Sequence, residues 1–111
     1  MNMKIFRDNR GEGKTKWLVD RAIEAHDRGK TLLYAGCEQS QKHFEEVWMA
    51  TTNTVCPIKN IEFYGTSSRK PFCVFTDNLL QETWTLFRWY NFVNEHGYEW
   101  YATMDKEFFV N

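Results

Sequence analysis

The sequence has little of several things. Proline occurs twice in 111 residues, at Pro57 and Pro71, and no repeated or low-complexity tract is present. Cysteine occurs three times, at Cys37, Cys56 and Cys73, with no CxxC pair, and the three histidines are scattered. That arithmetic argues against a disulfide framework and a structural zinc site, and free thiols suit a reducing compartment. No run of about 18 apolar residues could cross a membrane. The opening MNMKIFRDNR has no apolar signal region, so the expected location is the cytoplasm. Charge of either sign is not in surplus: 14 Lys and Arg stand against 15 Asp and Glu, for a formal net charge of −1. A nucleic-acid binder whose affinity rests on clustered basic residues is not expected from that balance.

What is abundant is apolar and aromatic surface. Apolar residues make up 42% of the chain and aromatics 17%, including five Trp and nine Phe. The length suits one domain over residues 1–111, and large rings let a small core bury enough area.

The local patterns alternate. Met3-Lys4-Ile5-Phe6 is β-prone, and Asp8 to Gly13 is rich in turn formers. Lys14 to Arg28 has helical periodicity with Leu18, Val19, Ala22, Ile23 and Ala25 on one face, and Gly29 is a natural stop. Thr31 to Ala35 reads as a strand covered on both faces. Ser40 to about Ala50 reads as a helix with Phe44, Val47 and Trp48 inward, and Thr51 to Asn60 as a connection. Ile61 to Tyr64 reads as a third strand, Gly65 to Pro71 as a basic loop, and Phe72 to Thr76 as a fourth strand ending at Asp77. A helix from about Leu79 to Glu95 stops at His96-Gly97, and Tyr98 to Met104 alternates as a strand does. This order predicts a three-layer α/β fold: a mostly parallel sheet of about five strands, the first one central, flanked by helices.

The strongest local signal is the run Arg10-Gly11-Glu12-Gly13-Lys14-Thr15-Lys16, set between a short strand and a long helix. Glycines let consecutive backbone N–H groups point inward at phosphate oxygens, and the helix that follows adds its N-terminal donors and positive dipole end. A Lys at this place reaches the outer phosphates and a Thr hydroxyl ligates Mg²⁺. These seven residues are therefore the expected nucleotide-binding segment of a P-loop NTPase-like domain. Asp8 stands where the pattern G-x-x-x-x-G-K-[ST] has its first Gly, with Arg7 and Arg10 as adjacent cations. A Gly-containing turn before an amphipathic helix is the plainer reading.

Asp77 closes an apolar strand, the place where a carboxylate holds Mg²⁺ together with the loop hydroxyl; capping the next helix is its structural alternative. The expected metal ligands are Thr15 and Asp77. The next residue is Asn78, which can orient water but is a poor base. Glu38, just beyond the second strand, is the candidate to approach the γ-phosphate, and Lys14 and Glu38 form the candidate catalytic pair. Arg69 and Lys70 could contact phosphate or a partner acid, and Arg88 could act as a charge-stabilising finger; a solvated surface role is the alternative for these three and for Glu38. In the last helix Leu79, Leu80, Thr83, Leu86, Phe87, Tyr90 and Val93 form a core stripe. Thr85, Trp89 and Phe92 form a second stripe, open to a partner chain, a second copy, or the C-terminal segment.

The order of elements, with Arg10-Gly11, Gly13-Lys14-Thr15 and Asp77-Asn78 at their spacing, resembles the very small P-loop ATPase-like proteins encoded by bacteriophages. That resemblance covers most of the chain and implies binding of ATP or another nucleoside triphosphate with Mg²⁺, in the cytoplasm of an infected host. A weaker similarity to thymidine kinases lies in Arg28-Gly29-Lys30 before Thr31-Leu32-Leu33-Tyr34, without their zinc-binding cysteines. Two functions stay open. One is Mg-dependent binding of ATP or GTP, with hydrolysis that is slow or completed by a partner. The other is a repurposed scaffold that binds and inhibits a host protein, such as a defence component, without catalysis.

Overall fold

The computed structural model describes residues 3–8, 13–64 and 72–105. The chain forms β1 (Met3–Asp8), α1 (Lys14–Asp27), β2 (Thr31–Tyr34), α2 (Glu38–Thr52), β3 (Lys59–Asn60), α3 (Ile61–Tyr64) and β4 (Phe72–Thr76). A 3₁₀ turn (Leu79–Glu82) then leads into α4 (Thr83–Glu95), and β5 (Glu99–Asp105) follows. All strand pairs are parallel, and the order across the sheet is β1-β5-β4-β2-β3. This is the three-layer α/β fold the alternation of patterns predicts.

Period-two alternation sorts the side chains onto two faces. Leu32 and Tyr34 of β2, Cys73 and Phe75 of β4, and Tyr101 of β5 point to the side covered by Leu18, Val19, Ala22 and Ala25 of α1 and by Phe44 and Trp48 of α2. Leu33, Phe72, Val74, Trp100, Ala102 and Met104 point to the other side, with Ile61 of α3 and Val93 of α4. Much of the aromatic content lies under α1 and α2 as a chain of ring contacts: Phe6 on Trp17, Trp17 on Tyr101, Tyr101 on Phe75, Phe75 on Phe44, and Phe44 on Tyr34. Trp100 is buried on the opposite face, where its indole N–H donates to Thr76 Oγ1, which donates to the Ala35 carbonyl. α1 closes with Gly29 at φ 79°, where the Lys30 amide returns to the Ala25 carbonyl, a left-handed stop that favours glycine.

Three expectations are corrected. The first strand lies at the edge of the described sheet rather than at its centre. β5 takes the internal place between β1 and β4, and the burial patterns show why. β5 is buried along nearly its whole length, whereas Lys4 and Arg7 of β1 are exposed, as suits an edge. The segment Ile61 to Tyr64 is one helical turn, and the third strand is the pair Lys59–Asn60 before it. Asn60 sets that boundary: its side-chain oxygen accepts the Glu62 amide, the capping bond that starts a helix. In a strand Ile61 and Phe63 would share a face, but Ile61 is buried and Phe63 is 90% exposed.

The third correction concerns the faces of α4. Trp89 and Phe92 pack against the core on the sheet's second face, and Thr85 reaches towards Glu82. Phe87 and Tyr90, expected inside, are exposed with Trp84. Spacings of three residues place Trp84, Phe87 and Tyr90 together on the outward side.

Candidate functional site

Gly13 begins the site. Its φ of 80° is left-handed backbone that glycine adopts without penalty, and its carbonyl accepts the Trp17 amide as the first hydrogen bond of α1. Lys14 and Thr15 therefore occupy the first turn of a helix laid against the sheet. Arg10, Gly11 and Glu12 lie outside the described residues, as do Arg69 and Lys70. Asp8 ends β1, paired in register with Asp105.

The two residues after Gly13 reach two different strand ends. Lys14 Nζ lies 2.8 Å from Asp105 Oδ1 at the end of β5, with the two side chains 9% and 3% exposed. Thr15 Oγ1 donates to Asp77 Oδ2 at 2.6 Å, just beyond β4. The register explains the convergence. β4 and β5 pair through Thr76 and Ala102, so one residue further Asp77 falls opposite Thr103. Residues 73, 75 and 77 of one strand and 101, 103 and 105 of the other project to the α1 side.

Thr103 joins the two strands. Its hydroxyl donates to Asp77 Oδ1 and accepts the Asn78 amide at 2.8 Å. The Asp77 carboxylate thus accepts two hydroxyls, one from α1 and one from β5. Asn78 sits at φ 57°, a left-handed conformation that Asn tolerates, and its side-chain oxygen is buried with no hydrogen-bond partner among the described residues.

A second polar group supports Asp77 from the other side. The Asp77 amide donates to the Tyr34 hydroxyl at 3.2 Å, and that hydroxyl bonds Ser40 Oγ at 2.8 Å. Ser40 Oγ and the Cys37 amide both bond Glu82 Oε1. Burial pushes the Tyr34 phenol well above its usual range, so it stays a neutral hydroxyl. Glu82, in the turn after β4, thereby ties the β4–α4 connection to the start of α2.

The site residues expected from the sequence divide cleanly. Gly13, Lys14, Thr15 and Asp77 come together. Lys16 is exposed and pairs with Asp20 one helical turn on, at 2.6 Å. Glu38 is not brought to this cluster: it is exposed and lines an open groove of about 800 Å³ with Gln41, Lys59 and Phe63, over the β2–β3 edge. Arg88 pairs with Glu62 at 3.3 Å. Thr103, Asp105, Tyr34 and Glu82 were not foreseen. Alternation along Tyr98 to Met104 marks a strand, but nothing local to residue 105 points to a lysine 91 positions earlier.

Among the described residues no group of three or more His, Cys, Asp and Glu side chains gathers as a metal site, and no helix is long and apolar enough to cross a membrane. No protein-family model, curated protein or solved structure matches this chain.

Proposed function

We propose that this chain binds the phosphates of a Mg²⁺-complexed nucleoside triphosphate, ATP or GTP, at the amino end of α1. The observation that carries the reading is the placing of Lys14 and Thr15, directly after a left-handed Gly13, over the carboxyl ends of β4 and β5. Ligands of open α/β sheets gather at the carboxyl ends of strands, and a helix amino end favours an anion there.

The donor set suits a hard cation. Mg²⁺ is held by one or two carboxylates together with phosphate oxygens and water. Asp77 supplies the carboxylate. The Thr15 hydroxyl donates its hydrogen bond to Asp77, which leaves its oxygen lone pairs for a cation. Bound there, the ion would neutralise phosphate charge. Thr103 and the Tyr34 hydroxyl fix Asp77 from either side, so the carboxylate is oriented before any ligand arrives. The chain's part is binding and orientation. Asn78 is no general base, and Glu38 lies over the other edge of the sheet, so hydrolysis is slow unless a partner supplies a base.

The test is a thermal-stability titration with Mg-ATP and Mg-GTP on the wild type and on Lys14→Ala, each against its own ligand-free baseline. Ligand at 100 times Kd adds about 2.7 kcal/mol. A rise confined to the protein with Lys14 is the expected result; no rise with either nucleotide refutes it.

A second reading, a scaffold that docks on another protein, is favoured by one feature. Trp84 and Phe87 are 75% and 73% exposed on the outward side of α4, with Tyr90 beside them. Large exposed aromatics clustered on one helix face mark interaction surfaces.

A further inference from the structure

Lys14 carries the proposed phosphate contact, yet in this structure its ammonium is held by Asp105. A carboxylate and a phosphate compete for the same cation with the same kind of charge-assisted bond. We propose that Asp105 is an internal counter-ion that restrains Lys14 and thereby sets how tightly the site binds any phosphate. This rests on the reading of the site given above and deepens it.

Three observations carry it. The pair is close and buried on both sides, so water screens it little. The restraint is specific to Lys14, because the adjacent Thr15 goes to a different carboxylate, Asp77, on a different strand. Asp105 is also fixed by its backbone: it ends β5 in register with Asp8 of β1, so it does not follow Lys14 if the lysine moves. Lys14 is long and flexible, and Asp105 is short and anchored. The pair therefore opens by movement of Lys14 from Asp105 to the anion.

The consequence is quantitative. If only a fraction of molecules have Lys14 released, the apparent affinity for every phosphate ligand falls by that fraction. Removing the Asp105 charge restores the intrinsic affinity. The effect must pass through Lys14, which separates this role from simple repulsion between Asp105 and the ligand. Repulsion would persist whether or not Lys14 is present.

The experiment is a double-substitution cycle read by Mg-ATP and inorganic tripolyphosphate binding: wild type, Asp105→Asn, Lys14→Ala and the combination. Folding is checked by thermal unfolding of each. Asp105→Asn is expected to bind both ligands at least tenfold more tightly than the wild type, and not to restore the binding that Lys14→Ala loses. Binding regained by the combined variant would assign the effect to repulsion and overturn the restraint. Weaker binding by Asp105→Asn would overturn it too, by making Asp105 an aid that aims Lys14 at phosphate. Binding by the wild type with no gain in Asp105→Asn refutes this inference alone. Absence of binding in all four proteins removes the nucleotide reading and the inference with it.

A ligand-free measurement keeps the two apart. The ¹⁵N-labelled side-chain ammonium of Lys14 should be resolved in the wild type, because an ion pair slows its exchange with water, and should exchange faster in Asp105→Asn. An identical ammonium signal in both proteins would show that Asp105 does not hold Lys14.

Discussion

Replacing Lys14 by Met keeps most of the apolar stem and removes the charge, and the structure gives the size of the effect. At 2.8 Å from Asp105 Oδ1, with an effective dielectric constant near 20, the gross attraction is about 6 kcal/mol. Part is returned because the ammonium no longer has to be desolvated. Removal of one partner from a buried pair costs about 3–5 kcal/mol, since the other charge stays behind. Asp105 is 3% exposed and cannot swing into water as a lysine can. For a domain of about 100 residues each kcal/mol lowers Tm by at least ~4 °C, so Lys14→Met should melt at least ~12 °C below the wild type.

Asp105→Asn should be milder, because a freed lysine can extend towards solvent. The double variant Lys14→Met/Asp105→Asn should recover at least half of the loss, since the buried Asp105 charge that had lost its lysine is then removed as well. Urea unfolding followed by tryptophan fluorescence measures all four proteins. The reasoning is refuted if Lys14→Met costs under 1 kcal/mol, or if the two single effects simply add. The outcome also bears on nucleotide binding: a lysine-free variant that is unstable must be compared with its own unliganded state.

Three other measurements probe the same network. Thr103→Val removes the hydroxyl that serves both Asp77 and the Asn78 amide; with a bond to a carboxylate and a backbone donor both lost, the cost should be about 2–4 kcal/mol in urea unfolding, and Thr103→Ser should restore most of it. Burial pushes the Glu99 carboxyl upward, but hydrogen bonds from Tyr101 and Arg28 and the charges of Arg28 and Lys30 together hold it below 4.5; a depressed carboxyl pKa stabilises above the unfolded value, so the stability gap between wild type and Glu99→Gln should be full near neutrality and close as pH falls below about 4.5. Cys73 is buried, and its thiol is pushed up to about 12, first by that burial and then by the nearby Glu99 charge; about one molecule in ten thousand then holds the thiolate at pH 8, so a thiol reagent should label exposed Cys37 in the native protein and reach Cys73 only on unfolding.

Much of the scaffold is legible in the sequence because its signals are local. The apolar run from Phe72 to Thr76 becomes β4 with the expected bounds, and the stripe Leu18, Val19, Ala22 and Ala25 becomes the buried face of α1. Where local signals conflict or are silent, the reading fails for identifiable reasons. Ile61-Glu62-Phe63-Tyr64 has the composition of a strand, but the capping side chain of Asn60 directly before it outweighs that propensity. α4 is aromatic on more than one face, so periodicity alone does not say whether Trp89 and Phe92 or Trp84 and Phe87 meet the sheet. The order of strands depends on where connections cross the sheet, and the position of β5 between β1 and β4 is therefore invisible locally.

That one placement decides the chemistry of the site. With β5 beside β4, Asp77, Thr103 and Asp105 stand at adjacent strand ends, and each buried carboxylate needs polar partners. The first turn of α1 supplies them from consecutive residues, a cation for Asp105 and a hydroxyl for Asp77. The side chains that fasten α1 to the sheet are thus the ones a phosphate ligand would draw on. If phosphate binds as proposed, stability and anion affinity would oppose each other at Lys14, since a stronger bond to Asp105 would leave the ammonium less available. At Thr15 the two do not conflict, because its proton serves Asp77 while its oxygen remains open to a cation. On that reading Asp105→Asn should trade fold stability against binding, whereas substitutions at Lys14 or Thr15 should lower both together.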